Sequence, residues 1–228
     1  MTITARPMVK SDARIRADIM SEIEWDPFIR DVPCKVTVDN GAVTVTGQAP
    51  SLAARVSVID AAHRVQGVLD VVDEMTVAPT PESLRTDVDV ARAVRECLQW
   101  DAYLPDERIS CTVSSGTVTL RGSVDTWAQR GDAERAVQRL TGVRQVVNRL
   151  TVESRSVDPA AVRLQIERAL ERRAEREARR IVVAVKDGVV TLTGSVQSWA
   201  ERNAVERVAG SASGVTGIDD RIVVDPYS

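Results

Sequence analysis

GAVTVTG at 41–47, GTVTLRG at 116–122 and GVVTLTG at 188–194 are one heptapeptide written three times in a 228-residue chain. Each is preceded by a polar pair, so that "DNG", "SSG" and "KDG" end on its first glycine. Asn-Gly or Asp-Gly between alternating apolar segments is the strongest short signal for a β-hairpin. Gly41, Gly116 and Gly188 therefore read as turn residues. Val43 and Val45, Val118 and Leu120, and Val190 and Leu192 read as one face of the hairpin's second strand, which Gly47, Gly122 and Gly194 are expected to end. A phosphate-binding loop is excluded, because no lysine follows any closing glycine.

Working outward, the spacing that relates the three glycines holds without a gap across whole repeats. Ile15, Ile19 and Ile23 align with Val90, Val94 and Leu98, and with Val162, Ile166 and Leu170. An i, i+4, i+8 stripe marks one face of a helix. Cys34, Val36 and Val38, Ile109, Cys111 and Val113, and Ile181, Val183 and Val185 alternate as a half-buried strand does, which predicts Cys34 and Cys111 buried and unpaired. Ser51, Thr126 and Ser198 are N-cap candidates for a second helix, and Gln129 and Glu201 complete capping boxes in repeats two and three. Val58, Ala61, Ala62 and Val65, with their counterparts, form that helix's inward face; Gly67, Gly142 and Gly214 end it. A last strand carries Val71, Met75 and Val77 and their equivalents. The expected fold is α+β: three tandem α-β-β-α-β repeats over 8–78, 84–153 and 158–226, each a small three-stranded sheet with two helices on one face. The short linkers between them, polar and containing proline, keep the units close.

Composition narrows the function classes. Hydrophobic residues make up 43% and charged residues 28%, the balance of a globular protein. A formal charge of -3 offers no general attraction to nucleic acid. No apolar run could span a bilayer, and the first residues lack the apolar stretch of a secretory signal, so a cytoplasmic chain is expected, periplasmic only if a signal was removed. Three cysteines without a close pair fit neither a disulfide framework nor a zinc site. His63 is the one histidine and has no nucleophile to activate, and Cys97 beside the Leu98 stripe reads as packing. No catalytic residue, metal ligand or cofactor site is expected.

The order helix, strand, turn, "G-x-V-T-L-x-G", helix, then "GV-x-x-V-x-N-x-L-x-V" at 142–152 resembles the BON domain, named for bacterial osmotically induced and nodulation proteins. Repeat three has Asp220 where repeat two has Asn148. The resemblance implies a small α/β sandwich that binds rather than catalyses, in a stress setting, with periplasmic or membrane-associated relatives for which phospholipid interaction is proposed.

Two sets of residues are candidates for contact with a partner or lipid. The chain has four Trp, two Tyr and one Phe. Trp127 and Trp199 share a column just after the helix-two cap, roughly 120° from the inward face, where repeat one has Leu52. Trp25 and Trp100 share another, at the end of helix one. These rings either seal gaps between helix ends and neighbouring repeats or form a contact surface. In repeat three "ERRAEREARR" at 171–180 replaces the Trp-Asp turns, and Arg172, Arg173, Arg176, Arg179 and Arg180 would form a basic face on a lengthened helix. A non-catalytic interaction protein that binds a protein partner or itself is expected first. Peripheral binding to anionic phospholipid is the alternative, and a small ion or solute ligand a third.

Overall fold

Each repeat is built on its hairpin. In the computed structural model, which describes residues 10–153, 158–173 and 181–226 (side chains of 171–173 excepted), β1 (Cys34–Asp39) and β2 (Ala42–Ala49) pair antiparallel around Asn40 and Gly41. Both turn residues have positive φ, 48° and 79°, the backbone of a type I′ turn, and Ser115-Gly116 and Asp187-Gly188 repeat it. β4 (Ile109–Ser114) with β5 (Thr117–Val124), and β7 (Ile181–Lys186) with β8 (Val189–Val196), are the equivalent hairpins.

The closing glycines do not end their strands. Gly47, Gly122 and Gly194 lie inside β2, β5 and β8, each of which runs two residues further. They are glycine for a different reason: their φ values are 146°, 121° and 137°, and a Cβ at Gly47 or Gly122 would collide with the carbonyl oxygen of Pro33 or Arg108 where the first strand enters the hairpin. The heptapeptide thus has one glycine for a turn and one for a close backbone approach.

Helix one of each repeat is α1 (Asp12–Trp25), α3 (Asp87–Trp100) or α5 (Pro159–Arg173), and its predicted stripe is buried in all three copies. Helix two is α2 (Leu52–Arg64), α4 (Trp127–Gln138) or α6 (Trp199–Gly210), N-capped by the hydroxyls of Ser51, Thr126 and Ser198. The capping box forms at Thr126 and Gln129; in repeat three Glu201 reaches back to the Gln197 N–H at 2.8 Å. The last strands, β3 (Asp70–Val77), β6 (Gln145–Val152) and β9 (Gly217–Val224), pair parallel with the hairpin's second strand after the helix-two crossover. Three separate sheets result, each with the hairpin's second strand in the centre. Each has its own apolar cluster beneath two helices.

The Asn148 position joins helix two to the last strand. Asp73, Asn148 and Asp220 each accept the N–H two residues on, and Arg55, Arg130 and Arg202 of helix two reach them: Arg55 to the Asp73 carboxylate, Arg130 to the Asn148 carbonyl, Arg202 to the Asp220 carboxylate. Asn148 in addition donates its amide to the Arg130 carbonyl and the Glu134 carboxylate; Asp220 keeps the acceptor role and replaces those two donated bonds by an ion pair with Arg202.

Cys34 and Cys111 are free thiols packed against the core, but half-buried rather than fully buried. They lie on edge strands, where no neighbour covers the outer flank. Burial still raises both thiols above their ordinary range, with Arg95 opposing it at Cys111.

Helix one also fastens the hairpin turn. Asp12 accepts from Asn40 N–H at 2.9 Å and Gly41 N–H at 3.0 Å, and Asp87 accepts from Ser115 and Gly116 N–H at 2.8 and 2.9 Å. Repeat three has Pro159 in that column. Asp87→Ala leaves two turn donors without their carboxylate and is expected to destabilise repeat two by about 1 kcal/mol, read as a lowered denaturation midpoint. No effect on the midpoint would show the clamp to be redundant.

Candidate interaction surfaces

The three repeats close into a cycle through their second helices. Trp199, at the start of α6, packs into the core of repeat one; its ring lies 4.4 Å from His63 near the end of α2, and its Nε1–H donates to the Leu69 carbonyl at 3.1 Å. Trp127, at the start of α4, packs into the core of repeat three, where a Cβ on Gly210, the last residue of α6, would sit 2.8 Å from its Cδ1. Leu52, at the start of α2, is buried in the core of repeat two with Leu140 at its edge. Each helix two thus presents its first residue to the far end of the next one, in the order one to two, two to three, three to one.

These knobs are shaped to their sockets. His63, Gln138 and Gly210 are equivalent positions: a small glycine admits Trp127, and a flat imidazole stacks on Trp199. Arg130 and Arg202, one turn along, lay their guanidinium groups 4.8 and 4.7 Å from the centres of the Trp127 and Trp199 rings. His63 is therefore a seam residue. Burial lowers its pKa below the ordinary imidazole value; Asp60 pushes the other way and Arg202 adds to the lowering.

The other tryptophan column has the opposite fate. Trp25 is 84% exposed and Trp100 88%, and with them Phe28 is 61% and Tyr103 83% exposed. Phe28 and Tyr103 occupy one further column, three residues on, which the alignment of "WDPF" with "WDAY" contains. Each tip is rigid. The Asp26 carboxylate accepts from Phe28 N–H at 2.9 Å, Asp101 accepts from Tyr103 N–H at 3.0 Å, and the next residues, Ile29 and Leu104, are buried as anchors. Gln129 adds a 2.6 Å bond to the Tyr103 carbonyl. Two aromatic pairs are thus held in water on fixed turns, with a carboxylate inside each.

Arg176, Arg179 and Arg180 lie outside the described residues, and of Arg172 and Arg173 only the backbone, at the end of α5, is described. The basic face expected of them is therefore not part of the described surface. Among the described residues no group of His, Cys, Asp and Glu is placed to hold a metal ion, and no helix is long and apolar enough to cross a membrane.

Three small α-β-β-α-β units with the same local bonds, joined by interlocking knobs, define a tandem-repeat scaffold whose distinctive side chains lie at surfaces and seams. The chain belongs to the BON domain family, whose pattern matches residues 11–79, 86–154 and 158–226. It is similar to the osmotically-inducible protein Y of Escherichia coli, with 27% identity over 143 residues covering 61% of this chain and 71% of that protein. Among solved structures it matches CdsD, described as a structural protein of the type III secretion system of Chlamydia trachomatis, with 14% identity, 92% of this chain and 91% of that one covered, and a TM-score of 0.26. The CdsD C-terminal domain gives 14% identity, 95% and 100% coverage, and a TM-score of 0.27. Neither superposition is close enough to carry an argument.

Proposed function

We propose that this chain is a non-catalytic interaction protein, engaged in a stress response as the name of its osmotically inducible relative suggests, and that it binds protein through its two aromatic tips. One observation carries this reading: Trp25 with Phe28, and Trp100 with Tyr103, are displayed in the same geometry on two repeats, while Trp127 and Trp199 are spent on holding the repeats together. Rigid exposed aromatics lose little conformational entropy on binding and supply large contact area, which is why Trp and Tyr dominate binding hot spots.

Local charge favours protein over an anionic membrane. Asp26 and Asp101 sit within the tips, and Asp106 and Glu107 follow the second, so an anionic headgroup layer would meet like charge. The test compares the parent with Trp25→Ala/Trp100→Ala. A photo-crosslinking aromatic at position 103 should capture a protein partner in the source cell, and the capture should disappear when Trp25 and Trp100 are replaced. Anionic and neutral vesicles should leave both proteins in the supernatant. Unchanged capture by a folded double variant, or tip-dependent sedimentation with anionic vesicles, would overturn the reading in favour of another surface or of lipid.

A further inference from the structure

The three seams are not equally filled. The second and third each receive an indole, from Trp127 and Trp199. The first receives only Leu52, and there a groove of about 350 Å³ lies open between α2 and α4. Its apolar lining includes Phe28 of the first tip and Val56; Arg135 and Arg139 stand on the opposite side, with Asp60 as its one carboxylate. Arg135 is held by Asp132, whereas Arg139 makes no ion pair among the described residues. The groove therefore sets Gln138, the counterpart of the His63 and Gly210 that face an indole in the sister seams, beside a guanidinium left for an incoming anion.

This chain displays such a group. The second tip offers the Trp100 indole next to the Asp101 carboxylate, 88% exposed and borne by repeat two beside the already filled second seam. We propose that the groove of the first seam receives the Trp100 tip of a second copy, with the indole against Phe28 and Val56 and the tip's acidic face toward Arg139. This rests on the reading of the tips as binding elements and names their partner. Tip and groove are different surfaces, so the contact is heterologous: a pair of copies leaves one tip and one groove free, and association continues into chains or a closed ring.

The arrangement has a sharp test by sedimentation velocity over a concentration series. The parent should show concentration-dependent association. Trp100→Ala, which loses the knob, and Leu52→Trp, which brings an indole to the column that carries one in the sister seams and is expected to crowd the groove beside it, should each weaken it by about tenfold or more. Mixed together, the two variants should form a discrete one-to-one dimer, because one retains a groove and the other a tip. Arg139→Glu, at an exposed position outside the core, should weaken association as well and serves if Leu52→Trp does not fold. A parent that stays monomeric throughout, or a mixture that forms no dimer, overturns the proposal. Association that needs Trp100 but survives both Leu52→Trp and Arg139→Glu overturns the groove while leaving the tips as binding elements. Cellular capture lost with the tips, in a chain that never self-associates, does the same.

Discussion

Trp199→Ala should be among the most damaging single changes in this protein, lowering stability by about 3 kcal/mol and opening the cycle of repeats. The ring is half-buried, fills the core of repeat one from repeat three, stacks on His63 and donates a hydrogen bond to the Leu69 carbonyl. Its removal leaves a void against His63 and a carbonyl without its donor. Its Leu69 partner is 130 residues away along the chain, so this seam closes a loop of more than half the molecule. Denaturant midpoints give the loss, and small-angle scattering gives the consequence, since a chain freed at this seam should have a larger radius of gyration. Trp199→Phe separates the contributions: it keeps apolar contact and loses the N–H, and should cost about 1 kcal/mol. A Trp199→Ala protein as stable and as compact as the parent would show that the cycle is held elsewhere.

Gly122→Ala should be comparably severe, for a backbone reason. The residue adopts φ of 121°, which L side chains rarely adopt, and its Cβ would be driven into the Arg108 carbonyl at the entry to β4. Neither atom can yield as a flexible side chain would, because β4 is paired through Ile109 with Gly122 itself. Strain of this kind costs roughly 1–3 kcal/mol, and the displaced pairing adds to it, so a loss of about 3 kcal/mol or failure of repeat two to fold is expected. Ala substitution at Gly131, which lies inside α4 and meets only the end of the Arg135 side chain, is the matched control and should be neutral to stabilising, by up to about 1 kcal/mol. Equal stability of the two variants would remove the close-approach explanation of the closing glycine.

How far the chain could be read before its structure was known follows from the range of the forces involved. The stripe of Ile15, Ile19 and Ile23, the alternation through Val43 and Val45, the Asn-Gly turn and the Ser51, Thr126 and Ser198 caps all express contacts within a dozen residues, or against a sheet in the same repeat. Local periodicity records such burial, and the threefold repetition made each column legible three times. The closing glycines are visible in the sequence but their role is not, since a glycine that admits a facing carbonyl looks in sequence like one that stops a strand. The half-burial of Cys34 and Cys111 is likewise not legible in the sequence, because alternation reports the face of a strand and not whether its flank lies at a sheet edge.

The two tryptophan columns mark the boundary most clearly. Both lie off the inward face of their helices and both are aromatic, so the sequence by itself determined that they were unusual and that they belonged to equivalent positions. Only the tertiary structure decided that Trp127 and Trp199 fill the cores of neighbouring repeats while Trp25 and Trp100 stand in water. The sequence likewise determined three hairpin-based units and their own cores. The tertiary structure decided that helix two of each unit meets the far end of the next, and that a groove lies between α2 and α4 beside the first seam, where Leu52 stands in place of an indole. The physical reason is that a residue's burial against its own sheet is encoded by spacing, whereas its burial against another repeat depends on where the chain's linkers allow that repeat to lie, and no local pattern carries that distance.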